Sequence, residues 1–344
     1  MDLFITGAGW ITPLGAGLET VWEAIIAGTP APVREIAGPA GRKAHLAACV
    51  PAGLVDGVAR DPRLRRSSNI SLFAAAAALA ALRGAGLDAA RPGRCALIFT
   101  TCDGGVIYTR KFYDQVVREG AGSPLLFPET VYNAPGSHVA ALLGLDGITY
   151  TLVGDASVGL AGVAMGAQLL ASGEIDHCIV VGAEEVDWVL CEAYRKWRLS
   201  SGSVEIGSNR GALLAEGAAA IVLGREGDCR IRAVSDGVPF FRRAEVRESF
   251  AAALGQLPRD VAIARVISGA NGTFVDGAER EGLEAAYGAV PTVYPKVTLG
   301  DAFGASALMQ IICAMESVRR EGPGAVLVPV IGLNQQAAVA LVSG

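Results

Sequence analysis

Histidine is scarce in this chain: there are three in 344 residues, His45, His138 and His177, each distant from the others in sequence. That spacing argues against a multi-histidine metal centre, and no stretch calls for a metal or any other cofactor. Charge is sparse as well. Charged residues make up 18%, the formal net charge is −5, and the basic residues form no long run. A nucleic-acid partner is therefore not expected. The seven cysteines show no CxxC spacing. An odd, scattered set reads as free thiols in a reducing, cytoplasmic setting. Long apolar runs are missing too: "LFAAAAALAAL", Leu72 to Leu82, is too short to span a bilayer. Nor does the opening "MDLFITGAG" carry the basic and apolar regions of a secretory leader.

What the chain does have is apolar bulk. Hydrophobic residues make up 51%, and the length allows one large domain or two fused smaller ones, each with a buried core. "LFITGAGWITPLG" reads as a strand turning at Gly7 and Gly9. It comes near a dinucleotide fingerprint, but Thr12 stands at the third glycine position and Pro13 follows, so a strand and a tight turn is the better reading. Residues 70–86 read as an Ala-rich helix ending at glycine. "RCALIFTT", "GITYTLVG", "HCIVVGAEE" and "GAAAIVLGRE" read as strands, with a helix from a cap at Asp155 to a stop at Gly173. The second half repeats the theme: "ARVISGANGT" is strand then loop, "VDGAEREGLEAAYG" and "AFGASALMQIICAMESVRREG" are helices, and "AVLVPVIGLNQQAAVALVSG" is a strand pair. Apolar strands alternating with helices mean an α/β architecture with both sheet faces covered. One pattern is used twice, with a divide near 225–235 that separates 1–228 from 229–344.

The helix after Asp155 presents Gly159, Ala161, Gly162, Ala164, Gly166 and Ala167. Glycine inside a helix costs about 1 kcal/mol against alanine. Such a run is useful only where something packs very close, so this helix is expected to be central and buried.

Several stretches, taken in order, carry a resemblance. They are "ITGAGWITPLG", "GLDGITYTL" with the small-residue helix and "SGEIDHCIVVGAEE", then "NRGALLAEGAAAIVLGRE", "GANGT" and "PKVTLGDAFGAS". Together they resemble the β-ketoacyl synthases, the condensing enzymes of fatty acid and polyketide synthesis. The resemblance implies a thiolase-type fold, two similar halves in five layers α-β-α-β-α. It also implies a dimer, acyltransferase chemistry and acyl chains delivered by acyl carrier protein.

Condensation needs a thiolate at a helix N-terminus and two imidazoles to stabilise enolate and oxyanion. Ungapped counts from "GLDG" forward and from Gly173 back both put the family's nucleophilic cysteine on Ala156. The two histidines fall on Asn271 and Asp301. Lys296 matches the family's lysine, and Glu279 or Glu281 its acidic helix residue. Leu333, in "IGLNQQ", stands where the family has a gatekeeper phenylalanine. No catalytic residue of the family is thus expected to be functional here. Asp155 and Asp301 would also bring uncompensated negative charge into a site that must bind a malonate carboxylate. Plainer roles are available for each position: Ala156 as filler at a tight turn, Asn271 as a turn residue, Asp301 as a helix cap, and Lys296 as a buried partner of a glutamate. Cys102, in "TTCDGG", lies in a loop and reads as tunnel or scaffold rather than nucleophile.

Ser157 is the rival. "DASVG" approaches a Gly-x-Ser-x-Gly elbow, with Asp155 at the first glycine position. A serine-dependent acyltransferase or thioesterase would need a base, and His138 in "APGSHVAAL" is the candidate in the same half. Otherwise Ser157 caps helix amides. The function expected is that of a non-condensing ketosynthase-like subunit, as chain-length factors are, paired as a heterodimer with an active ketosynthase. A homodimeric acyl-chain binding protein is a further alternative. The arginines of "RDPRLRR" (Arg60, Arg63, Arg65 and Arg66) read as a solvated face before a docking site for an acidic carrier protein.

Overall fold

The computed structural model describes residues 2–90, 92–259, 261–322 and 324–344. Five strands from the first part of the chain are Leu3–Ile11 (β1), Cys95–Thr101 (β2), Thr149–Val153 (β3), His177–Glu184 (β4) and Gly217–Gly224 (β5). They lie in the order β3-β2-β4-β5-β1. Five from the second part are Arg230–Val234 (β6), Ile263–Ile267 (β7), Thr292–Val293 (β8), Ala325–Ile331 (β9) and Gln336–Ser343 (β10). Their order is β8-β7-β9-β10-β6, the same arrangement repeated.

Orientation repeats with order. β2 runs parallel to β3 and β4, and β5 antiparallel to β4 and β1. Likewise β7 runs parallel to β8 and β9, and β10 antiparallel to β9 and β6. The two sets meet where β1 pairs with β6 at Leu3–Ile231 and Phe4–Arg230.

Helices supply the remaining layers. Asn69–Gly84 (α1) and Ala134–Leu143 (α2) cover the outer face of the first set, and Val158–Ser172 (α3) lies on its inner face. Val246–Leu254 (α4) and Val275–Tyr287 (α5) cover the outer face of the second set. Phe303–Glu321 (α6) packs beside α3 and touches strands of both sets. Among the described residues, no helix is long and apolar enough to cross a membrane.

Two local readings are corrected. The chain does not turn at Gly7 and Gly9; β1 runs straight through both. They are glycine because α1 presses on the strand: a Cβ on Gly7 would lie 2.2 Å from the Ala81 carbonyl oxygen, and one on Gly9 2.5 Å from Ala80 Cβ. Helix α3 is central, but only one face of it is sealed. A Cβ at Gly159, Gly162 or Gly166 would come within 2.8 Å of Ala307, Thr100 or Leu223 respectively, whereas Ala161 and Gln168 on the opposite face are exposed. Close packing explains the glycines, and the outward alanines are simply good helix formers.

Candidate functional site

The N-termini of α3 and α6 converge on a cavity of about 220 Å³ whose wall includes Cys102, Ala156, Tyr194, Asp301, Phe303 and Leu333. Cys102 follows the end of β2, Ala156 lies just before α3, Asp301 and Phe303 stand at the start of α6, and Leu333 sits in the loop between β9 and β10. Buried Phe303 has φ +41° and packs against Tyr194 with the rings tilted by 45° and their centroids 4.7 Å apart. A phenylalanine at positive φ is uncommon and is held there only by its surroundings.

Asp301 is the hub of the second-half wall. Its Oδ2 accepts from Asn271 Nδ2 at 2.7 Å and Lys296 Nζ at 3.1 Å; its Oδ1 accepts from the Phe303 amide at 3.0 Å and Ser306 Oγ at 2.9 Å. Burial works to raise this carboxyl, but the Lys296 charge and the hydrogen bonds from Asn271, Lys296 and Ser306 outweigh it and hold Asp301 below its ordinary value. The expectation of an uncompensated carboxylate is therefore corrected: Lys296 pairs with it, and both side chains are buried. Asn271 is also engaged at Oδ1, which accepts from Thr273 Oγ1 at 2.7 Å. Every polar atom the two residues offer is tied to the protein. Asp301, held as a carboxylate, has no proton to offer an oxyanion, and Asn271 gives one of its two amide hydrogens to Asp301.

Behind Lys296 stands Glu279, which accepts from Ser268 Oγ and from the Gly269 amide. Burial pushes it up to about 7, with Ser268 and the Lys296 charge opposing the rise. Glu281, the other candidate, is on the surface, paired with Arg247 at 2.9 Å.

The first-half wall is different. Glu184 ends β4 and is fully buried. It accepts from the amides of Cys102, Asp103 and Gly304 and from Thr101 Oγ1. Burial, then the Asp103 charge, raises it well above the carboxylate range. Asp103 is raised to about 7 by burial and then by Asp301, and its Oδ2 is out of solvent without a hydrogen-bond partner. Burial, then Asp103, Glu184 and Asp155, pushes the Cys102 thiol far up, so this cysteine is not a thiolate. Asp103, Glu184 and Tyr194 were not foreseen from sequence. The one available signal was the acidic pair closing the apolar strand "HCIVVGAEE".

Ser157 does not cap α3 with its hydroxyl. It already has helical angles, φ −74° and ψ −12°, whereas a capping side chain needs an extended backbone at that position. Its Oγ instead donates to Asp155 Oδ1 at 2.9 Å and lies 3.3 Å from Gln336 Oε1. His138, proposed as its base, is elsewhere: on α2, with Nε2 2.6 Å from Glu129 Oε1. The structure does not bring the serine and this histidine together. Of the arginine cluster, Arg63 is spent on Asp61 and on the carbonyls of Ala141 and Leu142.

The comparisons with known proteins agree with this geometry. No curated protein sequence matches the chain. Among solved structures, an ishigamide ketosynthase/chain length factor shares the fold with a TM-score of 0.85 at 19% identity, covering 99% of this chain and 98% of that one. A β-ketoacyl synthase from Burkholderia phymatum STM815 has a TM-score of 0.84 at 18% identity, covering 100% and 99%. The ketosynthase ApeO, solved with its chain length factor ApeC from Xenorhabdus doucetiae, has a TM-score of 0.81 at 16% identity, covering 99% and 98%. The doubled sheet with paired central helices is thus the thiolase-type fold. Residues 2–228 match the model of the β-ketoacyl synthase N-terminal domain. Those residues carry the first sheet set, the Ala156 turn and the small-residue helix, so by sequence as well as by fold the chain belongs to the β-ketoacyl synthase family.

Proposed function

We propose that the chain is a non-condensing subunit that assembles with an active β-ketoacyl synthase and helps shape the growing acyl or polyketide chain, as chain length factors do. The observation that carries this reading is the content of the cavity. A methyl group stands at the nucleophile position, and the two positions matched to imidazoles hold an asparagine and an aspartate bonded to each other and to Lys296. A methyl group cannot attack a thioester, and in place of two imidazoles that would stabilise an enolate there are an amide and an anion.

The surface supports a partner. β3 is one edge of the sheet, the other being the two-residue β8, and Tyr150 and Val153 on β3 are 46% and 51% exposed. Tyr113, Val117, Phe127 and Tyr132, from the segment between β2 and β3, add further exposed apolar area. An uncovered edge strand beside apolar side chains is a surface made to be paired. Acyl carrier protein as the source of chains, a cytoplasmic setting and the division into halves 1–228 and 229–344 belong to the same proposal.

The test is co-expression with an active ketosynthase, one that carries the cysteine and both histidines, followed by light scattering and analysis of product length. A heterodimer with one copy of each chain is expected, with product length altered when this chain is withheld. Purification as a homodimer that ignores the ketosynthase would overturn the reading.

A further inference from the structure

The loop 332–336 separates two cavities. Leu333 and Asn334 line both the inner cavity and an outer groove of about 510 Å³ bounded by Trp197, Phe241, Arg242 and Phe274. One carboxylate from the other half of the chain holds this loop. Asp155 Oδ2 accepts from the amides of Gln335 at 2.9 Å and Gln336 at 3.2 Å, while Oδ1 accepts from the Ser157 amide at 3.2 Å and Ser157 Oγ at 2.9 Å. Asp155 is only 8% exposed. The loop is shaped around it: a Cβ on Gly332 would lie 1.7 Å from Asp155 Oδ2, so glycine alone leaves room for the carboxylate. Hydrogen bonds to an ionised acceptor are about twice as strong as neutral ones. Loops without such ties open locally at little cost.

We propose that Asp155 is a latch. It ties the 332–336 loop to the N-terminus of α3 and keeps the partition between outer groove and inner cavity shut. Releasing it admits small molecules from the groove to the wall that holds Ala156 and Cys102. This proposal goes beyond the subunit reading and does not depend on it.

Cys102 is a built-in reporter, because the other six cysteines are buried. The measurement is the rate at which a small thiol reagent labels the Cys102 peptide, with hydrogen exchange of the peptide spanning 332–338 followed in parallel. In the wild-type chain the Gln335 and Gln336 amides should be protected. In Asp155→Asn, exchange should rise by roughly tenfold or more, while exchange in β5 stays as it was; labelling is read in the second variant, because losing the Asp155 charge by itself eases ionisation of the Cys102 thiol. Gly332→Ala is the second variant: its added methyl must push the carboxylate off its seat and raise both exchange and Cys102 labelling with Asp155 intact. Rapid wild-type exchange at those amides would overturn the latch. So would unchanged exchange in whichever of the two variants folds, or unchanged Cys102 labelling in Gly332→Ala.

Discussion

On the cavity wall supplied by the second half of the chain, Asp301 lies 3.1 Å from Lys296 and accepts from Asn271, Phe303 and Ser306 as well. Behind the wall supplied by the first half, Asp103 keeps one oxygen without a partner, and burial, then the Asp103 charge, raises Glu184. Both walls bury acids. Only one supplies a cation, and the two carboxyls move in opposite directions: Asp301 down, Asp103 up to about 7. A buried charge is tolerated when it is paired and hydrogen-bonded and is costly otherwise. The second-half wall has therefore become a structural staple, while the first-half wall stays electrostatically strained toward the neutral acid.

Breaking the staple should have the largest effect. Lys296→Met leaves Asp301 buried without its counter-charge, and a loss of about 3–5 kcal/mol is expected in urea unfolding at pH 7. Asp301 has a folded pKa below its unfolded value. Its contribution is therefore present above the unfolded carboxylate range and lost as pH falls through the folded value. The deficit of Lys296→Met should accordingly shrink toward acid pH, and Lys296→Met/Asp301→Asn should recover much of it. A single variant within about 1 kcal/mol of wild type would show the pair to be solvated like a surface bridge.

On the other wall the sign reverses. Asp103 binds its proton more tightly in the folded chain, with a pKa about 7 against an ordinary 3.8. The wild type therefore loses stability as pH rises between those values and levels off above about 7. Asp103→Asn removes that titration. The variant should be more stable than wild type by about 1–3 kcal/mol at pH 8, with the advantage gone near the ordinary carboxylate pKa. Destabilisation at pH 8 would mean that Asp103 is ionised and paired, and the contrast between the walls would fail.

Much of the scaffold could be read because it follows local pattern. Apolar strands, the alanine-rich α1 and the close-packed glycines of α3 announce themselves within a dozen residues of sequence. Gly7 and Gly9 look like a turn in sequence because the reason for them, the Ala81 carbonyl against Gly7 and Ala80 against Gly9, is far along the chain and approaches only in the fold. The same holds at the site. Ala156, Asn271, Asp301 and Lys296 could be named from the order of motifs. The bonds among the last three, and the 180-residue reach from Asp155 to Gln335, exist only in three dimensions. Asp103 and Glu184 were passed over because what makes them notable is burial, and an acid after an apolar strand looks the same in sequence whether it faces water or the core.

The smallest effect expected is a null one, from restoring the nucleophile atom. Ala156→Cys puts a thiol at the turn into α3, where the helix N-terminus favours a thiolate. The wall opposes it. Cys102 lines the same cavity, and burial together with Asp103, Glu184 and Asp155 already pushes that thiol far up. A cysteine at 156 would adjoin Asp155 and meet the same carboxylates. Even if it were acylated, decarboxylation of a malonyl group needs donors for the developing enolate; Asp301 is a carboxylate that only accepts, from Lys296, Ser306 and Asn271, and Asn271 gives one of its amide hydrogens to it. The single variant, alone and with malonyl and acyl thioesters of acyl carrier protein, should release no carbon dioxide above background and form no condensed product by mass spectrometry. Measurable condensation would show that the first-half wall does not oppose a thiolate, and it would remove the distinction between the walls at the point where chemistry would have to begin.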